Sequence, residues 1–188
     1  MISGRVLIND NCISSMAKSK SAPPHFLELL KNATAIVLDV DGVLTDGSLL
    51  ITNNGDELRT MNIRDGYALQ LAVKKGLMVA VISGGKSNGV IYRLNRLGIQ
   101  YVLMGVEDKP GALRQLASAL KMDLATTVYM GDDIPDVEVM QLCGFPCCPA
   151  NAAAEVKAIA KYTSPFEGGN GCVRDVIEKI LKLQAKWQ

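Results

Sequence analysis

The chain has 188 residues, 48% of them hydrophobic and 21% charged, with 20 Lys and Arg against 19 Asp and Glu. This length fits one ordinary α/β domain, and the composition favours neither an intrinsically disordered chain nor a fibrous repeat. The net charge of +1 is not gathered into a basic stripe and no apolar run is long enough to span a membrane, so neither a nucleic-acid partner nor a membrane partner is expected.

The N-terminal segment differs from the rest of the chain. Residues 1–24 mix Ser, Lys, Asn and Pro without a steady period, and they lack the basic region, apolar stretch and cleavage site of a secretory signal. We therefore predict a poorly defined arm over residues 1–30, one domain over residues 31–188 and a cytoplasmic location. The five cysteines show no paired spacing and accompany a single histidine, which predicts free thiols in a reducing compartment rather than a zinc site.

In chain order, the predicted elements alternate between helix and strand. A short helix over residues 24–30 precedes an apolar run over residues 35–40 that only Asp39 interrupts, which predicts a central strand buried on both faces. An Asn-Gly turn within residues 49–61 predicts a projecting β-hairpin. The alternation indicates an α/β fold with a central parallel sheet and helices on both faces. The remaining predicted elements are helices at 65–75, 87–97, 110–120, 135–143, 152–160 and 173–186 and strands at 77–82, 101–104, 127–130 and 145–148.

Polar side chains follow four of these strands, where parallel sheets bind their ligands. Asp39 and Asp41 are spaced to point to one side of an extended segment, and Gly42 lets the backbone turn. Alone, this pattern is more typical of an Asp-Gly turn that ends a strand. A second acidic cluster after another strand favours a site over a turn. The further candidates are Ser83, Gly84, Lys109, Asp132, Asp133 and Asp136.

Clustered carboxylates at one edge of a sheet suit Mg²⁺, which prefers oxygen ligands. With the metal neutralising charge, one carboxylate can attack an anionic phosphorus while a second serves as acid to the leaving oxygen and then as base to water. We assign the attack to Asp39 and the proton transfer to Asp41. Ser83 and Lys109 are suited to hold the phosphoryl oxygens, although an isolated Ser or Lys is more often a strand end or a solvated charge.

Several motifs together resemble the haloacid dehalogenase (HAD) superfamily of phosphatases: residues 39–47 (DVDGVLTDG), Ser83, Lys109 and residues 131–136 (GDDIPD). More narrowly, residues 62–66 (NIRDG) and 168–174 (GGNGCVR) resemble the family of 3-deoxy-D-manno-octulosonate 8-phosphate (KDO 8-phosphate) phosphatases. The resemblance implies a HAD-like fold without a large cap domain and a role in lipopolysaccharide biosynthesis. It also implies a homotetramer whose β-hairpins pack together and whose active sites are partly closed by a neighbour's C-terminal segment.

The resemblance also implies a role for each matching residue. Asp39, the backbone carbonyl of Asp41 and Asp132 would bind Mg²⁺, with Asp39 as nucleophile and Asp41 as acid/base. Ser83, Gly84 and Lys109 would hold the phosphate, and Asp133 and Asp136 would orient the metal-binding residues. The residues that would bind the substrate are Thr45, Arg64, Asp65, Gly66, Lys86, Arg93 and Asn170, the last from the adjacent subunit.

The chain departs from the family pattern in the substrate-facing part of the site. It reads Ser-Gly-Gly-Lys over residues 83–86 where the octulosonate enzymes usually read Thr-Gly-Arg, and Gln70 stands where many members carry a further Arg. Lys86 is a candidate to supply the missing charge. Two alternatives therefore stay open: a phosphatase of a nonulosonate 9-phosphate, and a catalytically silent regulatory module with the same fold. Dehalogenase and phosphomutase chemistry are less well supported.

Overall fold

The computed structural model describes residues 26–187. In chain order the strands are β1 (Ala35–Leu38), β2 (Leu50–Ile51), β3 (Glu57–Leu58), β4 (Met78–Ser83), β5 (Tyr101–Met104), β6 (Thr127–Met130), β7 (Phe145–Cys148) and β8 (Tyr162–Thr163). Six of them form one sheet in the order β5-β4-β1-β6-β7-β8, and every neighbouring pair is parallel. The predicted α/β fold with a central parallel sheet is confirmed.

In the part of the chain that the structure describes, seven α-helices cover the two faces of this sheet. They are α1 (Phe26–Lys31), α2 (Ile63–Lys74), α3 (Asn88–Arg96), α4 (Lys109–Leu120), α5 (Val137–Gln141), α6 (Ala154–Ile159) and α7 (Cys172–Leu183). Alternate residues of β1 point into different layers: Ile36 and Leu38 pack in the core with α1, α2, α3 and α7, whereas Val37 packs with α4, α5 and α6. Because β1 is buried on both faces, its run of four apolar residues is what the fold requires.

The only other strands in the described part of the chain, β2 and β3, form the predicted hairpin. They pair antiparallel with Leu50 opposite Leu58, and the turn between them contains Gly55 at φ +83°. Four large apolar side chains of the hairpin region are 44–68% exposed, namely Leu49, Leu50, Ile51 and Leu58. Within residues 26–187, no helix has the length and apolar content that a membrane crossing needs.

Apart from shifts of one to three residues at element ends, the structure differs from the sequence-based elements at three places. The predicted helix at 135–143 is a 3₁₀ turn, Ile134–Asp136, followed by α5. Strand β8 was not predicted, because two residues carry no readable alternation. The predicted arm ends inside α1, whose fully buried Leu30 belongs to the core; residues 1–25 of that arm, with Cys12, lie outside the described residues. The other four cysteines are buried free thiols, as predicted.

Candidate active site

One cavity of about 370 Å³ opens at the carboxyl ends of β1, β4 and β6. Parallel strands place these ends at one edge of the sheet, so residues far apart in the chain meet there. The cavity is lined by all eight residues that the sequence analysis assigned to catalysis, metal binding, phosphate binding and their orientation: Asp39, Asp41, Ser83, Gly84, Lys109, Asp132, Asp133 and Asp136.

Lys109, the first residue of α4, lies between two carboxylates. Its Nζ is 3.0 Å from Oδ2 of Asp39 and 2.8 Å from Oδ1 of Asp136, and all three side chains are at most 10% exposed. Burial opposes the charge of Lys109, but Asp39 and Asp136 outweigh it and raise its pKa. The ammonium is therefore held charged, next to the carboxylate that a phosphoryl group would meet.

Asp136 is held by donors on both of its oxygens. Its Oδ1 accepts hydrogen bonds from Lys109 Nζ and from the hydroxyl of the fully buried Tyr129, at 2.8 and 3.0 Å. Its Oδ2 accepts from the backbone N–H of Asp132 at 3.2 Å. The carboxylate thus fixes both the lysine and the start of the loop that carries Asp132.

Carboxylate oxygens of Asp39, Asp132 and Asp136 lie within 4.8 Å of one another, the spacing of a metal-binding group. The pKa of Asp39 is raised to about 6, mainly by burial and then by repulsion from Asp136, although Lys109 acts in the opposite direction. The pKa of Asp132 is raised to about 7, again mainly by burial and then by repulsion from Asp39, Asp136 and Asp133. A divalent cation would relieve this repulsion. Since three donors already occupy Asp136, Asp39 and Asp132 are the carboxylates best placed to hold it.

Asp41 faces a different partner from Asp39. Its two oxygens accept hydrogen bonds from Nε and Nη2 of Arg59, at 2.7 and 3.0 Å. Thr45, fully buried, lies beneath the same loop: its hydroxyl is 3.4 Å from Oδ1 of Asp41 and accepts from the backbone N–H of Gly42 and Gly47. Thr45 therefore shapes the loop that presents Asp41.

The end of β4 contributes a hydroxyl to the cavity. Ser83 is 1% exposed, and its Oγ accepts a hydrogen bond of 3.3 Å from the backbone N–H of Gly85. Gly84 is exposed at the cavity wall. Together with the ammonium of Lys109, these groups line the wall of the cavity as donors for an anionic ligand.

A second cavity of about 1150 Å³ adjoins the first through Gly84 and lies between the hairpin and the N-terminal end of α3. Arg59, Lys86 and Arg93 line it. Arg93 reaches back to Gly66, where an added Cβ would be 2.7 Å from its Nη2, so the absence of a side chain at 66 makes room for the guanidinium. This cavity is large enough for an organic group attached to a phosphate in the first.

The remaining predicted substrate-binding residues lie elsewhere. Arg64 and Asn170 line a third cavity of about 810 Å³, beside α7. Asp65 is 1% exposed and accepts hydrogen bonds from the backbone N–H of Gly171 and Arg174, which ties the start of α2 to the start of α7. The structure thus brings Gly66, Lys86 and Arg93 near the second cavity. It leaves Arg64, Asp65 and Asn170 outside that cavity.

Two residues at the site were missed by the sequence analysis. The sequence indicates only that Tyr129 is a core residue of β6. Its hydroxyl donates to Asp136, a contact that becomes apparent only from the fold. Arg59 follows a two-residue strand of an exposed hairpin, where a charged residue is usually solvated. The acidic residue at position 41 was a possible signal, because a carboxylate near a cleft needs a counter-charge.

The chain is similar to a known family and to known proteins. The profile of the haloacid dehalogenase-like hydrolase family matches residues 102–175. The 3-deoxy-D-manno-octulosonate 8-phosphate phosphatase KdsC of Salmonella typhimurium is 36% identical over 163 residues, which is 87% of each chain. The corresponding enzyme of Escherichia coli K12 is 36% identical over 156 residues, 83% of each chain.

A solved structure agrees with these similarities. The crystal structure of the KDO 8-phosphate phosphatase from Moraxella catarrhalis, in complex with a magnesium ion, a phosphate ion and KDO, superposes with a TM-score of 0.83 at 34% identity and covers 86% of this chain and 92% of its own. The predicted HAD-like fold without a large cap domain is confirmed. The chain belongs to the 3-deoxy-D-manno-octulosonate 8-phosphate phosphatase family of haloacid dehalogenase-like hydrolases.

Proposed function

We propose that the protein is a Mg²⁺-dependent phosphatase that hydrolyses KDO 8-phosphate through an aspartyl-phosphate on Asp39. One observation carries the proposal: a single cavity holds Asp39 against the ammonium of Lys109, next to a second carboxylate on Asp132. A nucleophile, a phosphate-binding cation and a place for a divalent ion are the parts that this chemistry needs.

The reaction divides into two displacements. An oxygen of Asp39 attacks the phosphorus, the bond to the ester oxygen breaks, and its electron pair stays on that oxygen, which takes a proton from Asp41. Water then attacks the aspartyl-phosphate and gives its proton to Asp41. The bond between phosphorus and Asp39 breaks and the carboxylate is restored. Lys109 and Ser83 hold the phosphoryl oxygens in both steps.

The residues present fit a magnesium ion. Asp39, Asp132 and the backbone carbonyl of Asp41 would hold it, while Asp136 keeps Lys109 and the Asp132 loop in place and Asp133 borders the same cavity. When bound, the ion neutralises the carboxylates and the phosphoryl oxygens so that an anion can attack an anion.

The relatives favour KDO 8-phosphate as the substrate. Curated proteins 35–36% identical to this chain are KDO 8-phosphate phosphatases, and the Moraxella enzyme holds KDO. A nonulosonate 9-phosphate and a silent regulatory role are not favoured. Of the predicted substrate-binding residues, Lys86 and Arg93 lie in the second cavity, where they would meet the sugar acid.

We also propose a homotetramer that works in the cytoplasm, in lipopolysaccharide biosynthesis. The exposed apolar side chains of the hairpin support assembly, because a surface patch of this kind is costly in water. Arg64 and Asn170 line the third cavity rather than the first or second, and they are available there to a neighbouring subunit. The free buried thiols are consistent with a reducing compartment.

Phosphate release from KDO 8-phosphate, with MgCl₂ and with EDTA, tests the proposed function. We expect release only with Mg²⁺, and its loss in Asp39→Asn. Asp123→Asn is the matched control, because Asp123 is exposed and asparagine also caps the following turn. If the wild-type protein releases no phosphate from KDO 8-phosphate with Mg²⁺ present, the proposed function is wrong.

A further inference from the structure

Arg59 and Asp41 form a two-bond ion pair at the border between the two cavities. Nε and Nη2 of the guanidinium donate to the two oxygens of Asp41, at 2.7 and 3.0 Å. The Arg59 side chain is only 3% exposed, and the hydrogen bonds to Asp41 raise its pKa. A fork of this kind fixes the plane of a carboxylate, which a single point charge cannot do.

The arginine is itself held from behind. Its Nη1 lies 3.3 Å from the carbonyl oxygen of Glu57 and its Nη2 3.4 Å from the Glu57 carboxylate. These contacts anchor the guanidinium to β3, so the hairpin and the Asp41 loop are joined through one side chain. Among the described residues, the only other side-chain hydrogen bond to the Asp41 carboxylate comes from the Thr45 hydroxyl, at 3.4 Å.

Gly85 leaves the room that this ion pair occupies. A Cβ built at position 85 would be 3.0 Å from Oδ2 of Asp41 and 3.1 Å from Nη2 of Arg59, closer than ordinary contact. The conformation of Gly85 does not itself require glycine, since its φ is outside the left-handed region. The ion pair between Arg59 and Asp41 therefore depends on the absence of a side chain at position 85.

The other cationic side chains that line the two cavities, Lys86, Arg93 and Lys109, have neighbours other than Asp41. The stem of Lys86 lies over Gly105, where an added Cβ would be 2.9 Å from its Cε, and Arg93 lies over Gly66. Lys109 contacts Asp39 and Asp136 instead. Lys86 therefore does not supply the cation that faces Asp41 in this structure.

We infer that Arg59 is a positioning residue that fixes the carboxyl group of Asp41 toward the leaving oxygen and the attacking water, and that Gly85 is required for it. The inference rests on the proposed function of Asp41 as acid/base. In the first displacement Asp41 gives its proton to the ester oxygen, and in the second it takes one from water. A misplaced carboxylate slows both transfers while leaving Asp39, Ser83 and Lys109 where they are.

Substrates with different leaving groups separate the two transfers. The p-nitrophenolate of p-nitrophenyl phosphate leaves without a proton, so formation of the aspartyl-phosphate from this substrate does not need the acid. In Arg59→Met we expect an initial burst of nitrophenolate approaching one per active site, followed by slow turnover. With KDO 8-phosphate we expect kcat to fall about 10- to 100-fold without a burst. This loss is smaller than the full contribution of a general acid, because Asp41 is misplaced and not removed.

Two further variants keep the inference falsifiable if Arg59→Met is poorly folded. Arg59→Lys keeps the charge but lacks the fork, and we expect an intermediate kcat. Gly85→Ala keeps Arg59 but fills the space that its guanidinium occupies. As for Arg59→Met, we expect a lower kcat on KDO 8-phosphate and a burst of nitrophenolate from p-nitrophenyl phosphate. Added guanidinium should restore part of the activity of Arg59→Met, whereas KCl at equal ionic strength should not.

Arg114→Met is the matched control, because Arg114 is exposed in the middle of α4. Its kinetics should equal those of the wild type. A rise in KM with unchanged kcat in Arg59→Met would make Arg59 a substrate-binding residue and overturn the inference. An equal loss on both substrates, without burst or guanidinium rescue, would make its role structural and also overturn it. Inactivity of the wild-type protein on KDO 8-phosphate would refute the proposed function instead.

Discussion

The hydroxyl of Tyr129 donates a hydrogen bond of 3.0 Å to Oδ1 of Asp136, and both side chains are at most 1% exposed. Burial and the neighbouring carboxylates of Asp136 and Asp39 raise the pKa of this tyrosine, so it stays a donor. Tyr129 does not line the cavity itself, and its hydroxyl acts on the lining residues Lys109 and Asp132 through Asp136.

Tyr129→Phe tests the importance of this bond. Asp136 would keep Lys109 and the Asp132 N–H but lose one buried donor, and we expect the free energy of unfolding to fall by about 1–3 kcal/mol. We also expect weaker Mg²⁺ binding, because Asp136 positions the loop of Asp132. Urea denaturation and calorimetric titration with MgCl₂ measure the two effects. Tyr92→Phe, at a 64% exposed position, should change stability by less than about 0.5 kcal/mol.

Stabilisation by Mg²⁺ should depend on pH. The pKa of Asp39 is raised to about 6 and that of Asp132 to about 7, above the value of about 3.9 in an unfolded chain. Without metal, both carboxyls therefore favour folding below about pH 4, and this contribution is lost as the pH rises through about 6 to 7. Mg²⁺ binds the ionised forms, so its effect on Tm should grow over the same range.

Thermal unfolding with and without MgCl₂, at about pH 5.5 and about pH 8, measures this dependence. The increase in Tm should be larger at the higher pH and should largely disappear in Asp132→Asn. An increase that is equal at both pH values would contradict the assignment of these carboxylates to the metal.

Gly168 should not tolerate a side chain. Its added Cβ would lie 1.8 Å from the carbonyl oxygen of Gly42, so the backbone of the Asp41 loop would have to move. We expect Gly168→Ala to lower both kcat and the free energy of unfolding, the latter by about 1–3 kcal/mol. In contrast, Gly89→Ala in α3 meets only Ser87 Oγ at 3.8 Å and should raise stability by up to about 1 kcal/mol. Equal stabilities of the two variants in urea would refute the close contact.

The hairpin provides a test of assembly. Leu50 is 68% and Ile51 57% exposed, and the proposed tetramer would bury them. The double variant Leu50→Lys and Ile51→Lys should give smaller particles in light scattering after gel filtration, since burying two charges costs more than the apolar contact gains. Leu27→Lys, at a 39% exposed site on α1, is the control. If wild-type protein is monomeric, the proposed tetramer is wrong.

Much of the fold was predictable because strand and helix periods are local. The runs at 101–104, 127–130 and 145–148 match β5, β6 and β7, and parallel pairing then puts their ends at one edge of the sheet. The first strand ends two residues early, at Leu38, because the carbonyl of Val40 accepts hydrogen bonds from three N–H groups of the following turn. Such a bend depends on loop geometry that an apolar run does not reveal.

The division of roles within the site was less accessible to sequence reasoning. Asp133 and Asp136 look alike in the motif, yet Asp136 is buried among donors and Asp133 is exposed. Asp65 stands in a motif that predicted a substrate contact, but its oxygens accept from the backbone of α7. Both differences arise from tertiary contacts between segments far apart in the chain, which no local pattern encodes.

The reaction of the four buried thiols with a thiol reagent can be used to follow unfolding of the protein. Burial raises the pKa of Cys143 and of Cys172 to about 12, and Cys147 is wholly enclosed, so a thiol reagent meets little thiolate while the core is closed. Labelling of these positions therefore follows the rate at which the core opens. We expect the same enclosure to slow their oxidation while the core is closed.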